Sequence, residues 1–284
     1  MHPRTTLVCL TVLFALLLHQ VSTAGQKLRY NFESGKVYKY STVFESKTTG
    51  QSMGQEFTMT SGAEFDYSIS RITVNDATIT LTVQFEKFTI KLNLPMMGFN
   101  DSTIAMQEYA GKRIKVVMTD KGKTLSVEPI DTIPPSRVQM MAGLTPSDLF
   151  KQMLLELPEK ELDVNGSWKK DTPDTISSGG MKMVMKQNVE FKVVAVEKKN
   201  DFSCWKIALT GSSMMEGSGN QRGIDVTIDG TVKVNGTAYI APAEGVFVLS
   251  EQSSETEMTT TATGSETGAL TTSINATVRT VLLK

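Results

Sequence analysis

The stretch TITLTVQFEKFTIKL, residues 78–92, alternates apolar and polar side chains and changes phase once. Ile79, Leu81, Val83 and Phe85 share one parity, and Phe88, Ile90 and Leu92 continue in the other. A period of two marks a half-buried antiparallel strand. A one-residue phase change would turn the buried face outward, so a bulge or tight bend is expected at Glu86-Lys87. The same period recurs at Phe65, Tyr67 and Ile69, at Trp205, Ile207 and Leu209, and at Ile224, Val226 and Ile228. Ile274, Ala276, Val278 and Leu282 close the chain in the same way. Turn signals fall at Asn75-Asp76, Lys121-Gly122, Asn200-Asp201, Asp229-Gly230 and Asn235-Gly236. Ser177-Ser178-Gly179-Gly180 and Gly217-Ser218-Gly219-Asn220 read as loops, and the run Thr259 to Thr263 as an exposed strand.

The middle of the chain has a different period. Pro134 to Ala142 reads as a short helix stopped by Gly143. Thr145 then has the character of an N-cap, with Pro146 at the first helical position and Asp148 in the first turn. Leu149, Phe150, Met153, Leu154 and Leu157 form an apolar stripe at helical spacing, ended by Pro158. Such a stripe must be covered, and the sheet offers the only large apolar surface.

The two flanks of this segment share an order of marks. Gly35, Glu64-Phe65, Asn75-Asp76, Gly122 and Leu125-Ser126 are matched by Gly166, Glu190-Phe191, Asn200-Asp201, Gly245 and Leu249-Ser250. We read this as a tandem duplication of one β unit. The expected fold is therefore mainly β: a large, curved antiparallel sheet, half-barrel or open barrel, built from two similar units. A central helical segment is expected on its concave face. Residues 25–284 form one domain, with a first β unit at 25–130, the helical segment at 131–160 and a second β unit at 161–284. A wide sheet curls, and its hollow must be filled. Incomplete filling leaves an apolar cavity, a usual kind of small-molecule site. A tightly packed sandwich satisfies the same periodicity.

Residues 1–24 have the three parts of a secretion signal: Arg4, an apolar stretch from Leu7 to Leu18, and small residues at Ser22-Thr23-Ala24. The apolar stretch is shorter than the ~20 residues of a membrane span, and no second one follows, so no transmembrane segment is expected after cleavage. Secreted or periplasmic localisation follows. The two histidines, His2 and His19, both fall in the signal. The mature chain thus lacks the commonest general base near neutral pH and the commonest metal ligand, which argues against Ser-His-Asp and Cys-His chemistry and most zinc enzymes. With 29 basic and 30 acidic residues the chain is nearly neutral, and the absence of a basic stripe argues against nucleic acid. Cys204 is the single cysteine beyond the signal, so no internal disulfide is expected, and it reads as a small apolar filler on a strand.

Candidate sites are few. Met181, Met183 and Met185 lie on one face of a strand. Soft thioethers suit Cu(I), but methionine also fills irregular apolar space or lines adaptable pockets. Without histidine beside them, packing or pocket lining is the favoured reading, and no metal or cofactor is assigned. Phe150, Met153, Leu154 and Leu157 are expected to face the sheet, and with the three methionines they form the candidate hydrophobic ligand-binding set. Asn100, Asn165 and Asn235 head acceptor tripeptides for glycosylation in a host that performs it. Asn275 heads a fourth and lies within an expected strand. Glu251, Glu255, Glu257 and Glu266 sit among Ser and Thr and read as a solvated face rather than a paired-carboxylate site.

Gly35-Lys36-Val37-Tyr38-Lys39-Tyr40, the connection from Leu157-Pro158 to Gly166-Ser167-Trp168, and the hairpin Tyr239-Ile240-Ala241-Pro242-Ala243-Glu244-Gly245 carry a resemblance. In these residues the chain resembles a domain-of-unknown-function family of secreted or periplasmic, mainly bacterial, proteins. More distantly the layout is similar to lipoprotein-carrier folds, in which a half-barrel wraps helices around an acyl-chain cavity. That likeness implies lipid binding and brings no catalytic residues. The function expected is non-catalytic binding of a hydrophobic ligand, lipid among the possibilities. The alternative is a structural or protein-interaction module of the cell envelope or extracellular space, with a protein partner.

Overall fold

The computed structural model describes residues 25–284 except 53, 96–97, 134–149, 151–153, 172, 179–180, 222–223, 264–267 and 284. The expected secretion signal, residues 1–24, lies outside the described residues. Alternation in the sequence is realised as thirteen strands: β1 (Val37–Ser52), β2 (Gln55–Asn75), β3 (Thr78–Leu94), β4 (Phe99–Ala105), β5 (Arg113–Thr119), β6 (Thr124–Pro129), β7 (Ser167–Lys170), β8 (Asp174–Ser178), β9 (Met181–Lys199), β10 (Phe202–Gln221), β11 (Ile224–Ala241), β12 (Val246–Thr263) and β13 (Gly268–Leu282). All belong to one antiparallel sheet in the order β6-β5-β3-β2-β1-β13-β12-β11-β10-β9-β7. β4 pairs with the end of β3, and β8 with the start of β9. The last strand, β13, lies between β1 and β12 and so joins the two halves.

The phase change in β3 is absorbed by a bulge. Asp66 pairs with Lys87 and Tyr67 with Phe85, which leaves Glu86 as the extra residue. The alternation therefore keeps one face: Ile79, Leu81, Val83 and Phe85 before the bulge, and Ile90 and Leu92 after it, are all buried. The marks shared by the two halves fall at equivalent places. Asn75-Asp76 and Asn200-Asp201 each turn a long strand into the next, with φ of 50° at Asp76, and 45° and 70° at Asn200 and Asp201. Gly122 and Gly245 occupy the β5–β6 and β11–β12 turns with φ of 88° and 65°, a region that favours glycine.

Three glycine stretches expected as two turns and a loop lie inside strands: Asp229-Gly230 and Asn235-Gly236 in β11, and Gly217-Ser218-Gly219-Asn220 in β10. Strand packing is the reason. A Cβ on Gly236 would stand 2.5 Å from the Glu251 carbonyl oxygen, and one on Gly230 would stand 2.7 Å from that of Glu257. Close approach of a neighbouring backbone, rather than a reversal of the chain, calls for glycine there.

The core fills one end of the sheet. Tyr40 stacks on Phe247 and Tyr67 at centroid distances of 4.4 and 5.5 Å, and its hydroxyl donates to the Phe247 carbonyl at 3.1 Å. Burial holds the Tyr30, Tyr40 and Tyr67 hydroxyls above the usual tyrosine range. Two segments outside the sheet close this end. The first, residues 25–33, buries Leu28, Tyr30 and Phe32. Its backbone bonds to Leu162, Asp120 and Gly245, and Arg29 pairs with Asp120 at 3.0 Å and donates to the Pro158 carbonyl at 2.7 Å.

The second closing segment is the tail of the expected helical region. Residues 134–149 and 151–153 lie outside the described residues, so the expected helix over Pro134 to Ala142 and the start of its successor lie there too. The described end, Leu154 to Pro158, is irregular rather than helical. Its backbone groups are taken by other elements: Leu157 N–H donates to Lys121, while the Leu155 and Glu156 carbonyls accept from Tyr30 and Trp168. Proline at 158 also disfavours helical geometry at 157. Among the described residues the one helical element with assigned bounds is the 3-10 turn Gln107–Tyr109.

Candidate functional site

The strands are longer than the core they cover. Beyond Tyr40, Tyr67 and Phe247 the face that carries the core continues as a mixed surface, apolar along β11 and at Met183, Met185, Met215, Met258 and Phe57 but polar at Ser46, Thr48, Ser254 and Thr256, and its side chains become only partly buried. On β11, Ile224, Val226, Ile228, Val232 and Val234 point to this inward face and are half-buried. Asp225, Thr227, Asp229, Thr231, Lys233 and Asn235 alternate with them and are exposed on the other face.

Cross-strand register extends this face into rows. One row runs Met185, Met215, Gly230, Met258, Thr272, Gly50, Phe57, each paired with the next. A neighbouring row runs Met183, Gly217, Ile228, Thr260, Leu270. The glycines make a floor for the large side chains beside them. A Cβ on Gly50 would stand 2.5 Å from Phe57 Cζ, one on Gly217 2.8 Å from Met183 Cγ, and one on Gly230 3.3 Å from Met215 Cε. Phe57, Met183 and Met215 therefore lie over the adjacent strand instead of standing upright.

Two open hollows cross the sheet. The larger, of about 930 Å³, is centred on Phe57, Gly50, Thr272, Met258, Gly230 and Met215. The smaller, of about 700 Å³, is centred on Ser102, Leu92, Ser61, Ser46, Ala276 and Ser254. The Ser46 and Ser61 hydroxyls bond to each other there at 2.8 Å. Their lining also takes in the adjacent residues of each strand, Glu56, Glu216, Asp229 and Glu257 in the first case, whose side chains point to the opposite face. These are open troughs of mixed polarity. The enclosed apolar chamber expected between sheet and helix is not formed by the described residues, and Phe150, Leu154 and Leu157 pack into the core instead of lining one.

The sequence-derived residues divide accordingly. Phe150, Leu154 and Leu157 are buried with the sheet in the core. Met153 lies outside the described residues. Met183 and Met185 fall on the inward face of β9 and are half-buried, while the side chain of Met181 lies outside the described ones. Sequence reasoning missed Met258 and Phe57, which register places in the same row. The adjacent pair Met214-Met215 reads from sequence as part of an adaptable apolar surface, but only pairing shows that Met215 faces inward while Met214 is 54% exposed on the other side.

Asn100, Asn165, Asn235 and Asn275 are all exposed. Asn235, expected at a turn, is instead mid-strand, paired with Thr210 and Ser253. Glu251, Glu255 and Glu257 are exposed on β12, and Glu251 pairs with Arg279 at 2.9 Å. Glu266 lies outside the described residues. Cys204 is buried, and burial pushes its thiol up to about 11, which removes the thiolate that a nucleophile needs. Among the described residues no group of three or more Cys, Asp, Glu or His residues is placed to hold a metal ion.

Together these features define a long-stranded, open antiparallel β protein with a closed, packed end and an open half. No family model matches the chain, and no curated protein matches it. Similar solved structures include Pseudomonas aeruginosa OccK2 (OpdF) in complex with glucuronate, at 6% identity over 89% of this chain and 100% of that chain, with a TM-score of 0.27. The COG4313 outer membrane channel from Pseudomonas putida F1 is 8% identical over 90% and 98% of the two chains, with a TM-score of 0.23. A mutant of Rh. blastica porin is 9% identical over 86% and 100%, with a TM-score of 0.24. Scores this low carry no functional argument. Side-chain polarity also separates this chain from spanning barrels, which carry an apolar band outside and polar groups within. Here Glu45, Lys47, Asp229, Lys233, Glu255 and Glu257 occupy the face opposite the core. No helix among the described residues is long and apolar enough to cross a membrane.

Proposed function

We propose that the protein is a non-catalytic, extracytoplasmic binding module that takes a hydrophobic ligand onto the inward face of its open half. The observation that carries this reading is the apolar stretch of β11, with Met183, Met185, Met215, Met258 and Phe57 beside it, past the core, half-buried and covered by no described element. Burial of such surface yields ~25 cal/mol per Å², so a ligand that covers it gains affinity without a chemical step. The flattened methionines and Phe57 give the face an adaptable surface, which suits a flexible apolar chain better than a rigid ring system. Secretion and the resemblance to extracytoplasmic proteins support the same setting. Binding of a protein segment is the second reading, favoured by the inward hydroxyls of Ser46, Ser61, Ser102 and Ser254, which match an extended backbone as well as a lipid head.

A fluorescent fatty-acid probe tests the proposal. Ile228→Lys places an unpaired charge in the apolar rows, away from the core. Burying that charge under the probe costs more than ~1.4 kcal/mol, so binding is expected to fall by about tenfold or more. Thr227→Lys, on the exposed face, is expected to leave it unchanged. Equal binding by all three proteins would place the probe elsewhere and remove the reading.

A further inference from the structure

We propose that Met183, Met185 and Met215 form a thioether site for a soft monovalent cation of the Cu(I) class, with Met258 as a fourth sulfur in reach. The site shares its methionines with the face assigned to the hydrophobic ligand but does not depend on that reading. Met185 and Met215 are direct cross-strand partners, which puts their Cβ atoms ~5 Å apart on one face. Met183 lies two residues along β9 on the same face, ~7 Å away. The tip of Met215 lies over Gly230, and Gly230 is the cross-strand partner of Met258. Three strands thus bring thioethers from separate parts of the sequence to one patch.

The surroundings fit the chemistry. Thioether sulfur is a soft, neutral donor that selects Cu(I) over the hard divalent ions. Methionine has three rotatable side-chain bonds, so sulfurs that start several ångströms apart can turn toward one centre. The immediate inward neighbours, Gly217, Gly230 and Ile228, bring no competing charge. The flanking lysines Lys182 and Lys186 lie on the opposite face by parity, and Lys186 is held there by Glu216 at 3.2 Å. Binding requires no electron transfer: the metal arrives and remains as Cu(I), and no proton is released because the donors are neutral.

The test is an anaerobic titration of the chain lacking residues 1–24 with Cu(I), in competition with a chromophoric Cu(I) chelator. Ag(I), which is redox-inert under these conditions, serves as a second probe. One equivalent is expected to bind. Removing a ligand should cost at least the 10–100-fold in affinity that loss of a supporting group costs. Met185→Leu/Met215→Leu is therefore expected to lose about that factor or more, while the swap keeps side-chain volume. Met214→Leu, one residue away on the opposite face, is expected to bind as the parent does. Cys204 is common to all three proteins, so its thiol cancels in the comparison. Should the double variant misfold by circular dichroism, Met183→Leu and Met215→Leu singly carry the same expectation. Failure of the parent to compete for Cu(I), or equal binding by folded methionine variants, would overturn the proposal.

Discussion

Deletion of residues 26–33 is expected to leave the mature chain unable to fold. This short segment has no strand of its own beyond one bridge, Gln26 to Leu162, yet it buries Leu28, Tyr30 and Phe32 almost completely. Each such side chain contributes ~1.5–3 kcal/mol by burial, so the three together contribute ~5–9 kcal/mol. That is comparable with the ~5–15 kcal/mol that separates a typical domain from its unfolded state. The segment also satisfies groups in three other elements. Tyr30 N–H donates to the Asp120 carbonyl and Asn31 N–H to that of Gly245, so both glycine turns at the closed end are tied to it. Tyr30 also bonds the Leu155 carbonyl at 3.0 Å. Circular dichroism and near-ultraviolet spectra of the truncated protein would read the outcome. A cooperative melt close to that of the parent would show that the core is held by the sheet alone.

Tyr40→Ala is the single substitution expected to cost most. Tyr40 is completely buried, stacked between Phe247 and Tyr67, and bonded to the Phe247 carbonyl. Truncating a large aromatic side chain in a core typically costs ~3–5 kcal/mol, through lost transfer energy and the cavity left behind. The position makes the upper part of that range the expectation. Tyr40 lies on β1, which pairs with β2 on one side and β13 on the other, so a void there touches both halves of the sheet. Tyr40→Phe retains the stacking and loses only the hydroxyl bond, for which ~1–3 kcal/mol is expected. Urea denaturation of the three proteins checks both figures. A loss below ~1 kcal/mol for Tyr40→Ala would mean that the stack is not part of the cooperative core.

Legibility followed the range of the interactions. The alternation of residues 78–92 and the bulge at Glu86 were readable because parity is a property of neighbouring residues. Asn75-Asp76, Lys121-Gly122 and Asn200-Asp201 were readable as turns because a left-handed backbone is a local demand. Asn235-Gly236 and Asp229-Gly230 have the same composition, but their glycines answer to β12, and sequence carries no sign of that approach. Leu154 and Leu157 reach the core as expected from their apolar character. The helix expected to carry them there does not extend to Leu154, because Tyr30, Trp168 and Lys121 take its backbone groups. The candidate site was legible only in part for the same reason. Met183 and Met185 declare a shared face by parity, whereas Met215, Met258 and Phe57 join them through pairings across six other strands. The open trough, in place of a closed chamber, depends on where Phe150, Leu154 and Leu157 pack, which no local pattern encodes.

Native mass spectrometry of the mature protein, secreted from cells and never delipidated, followed by extraction into organic solvent, tests the central claim most directly. The account predicts a discrete additional mass that is lost on extraction and belongs to an apolar molecule, and that is diminished in Ile228→Lys. A clean apo mass from such a preparation, with no uptake when long-chain fatty acid is added back, would contradict it.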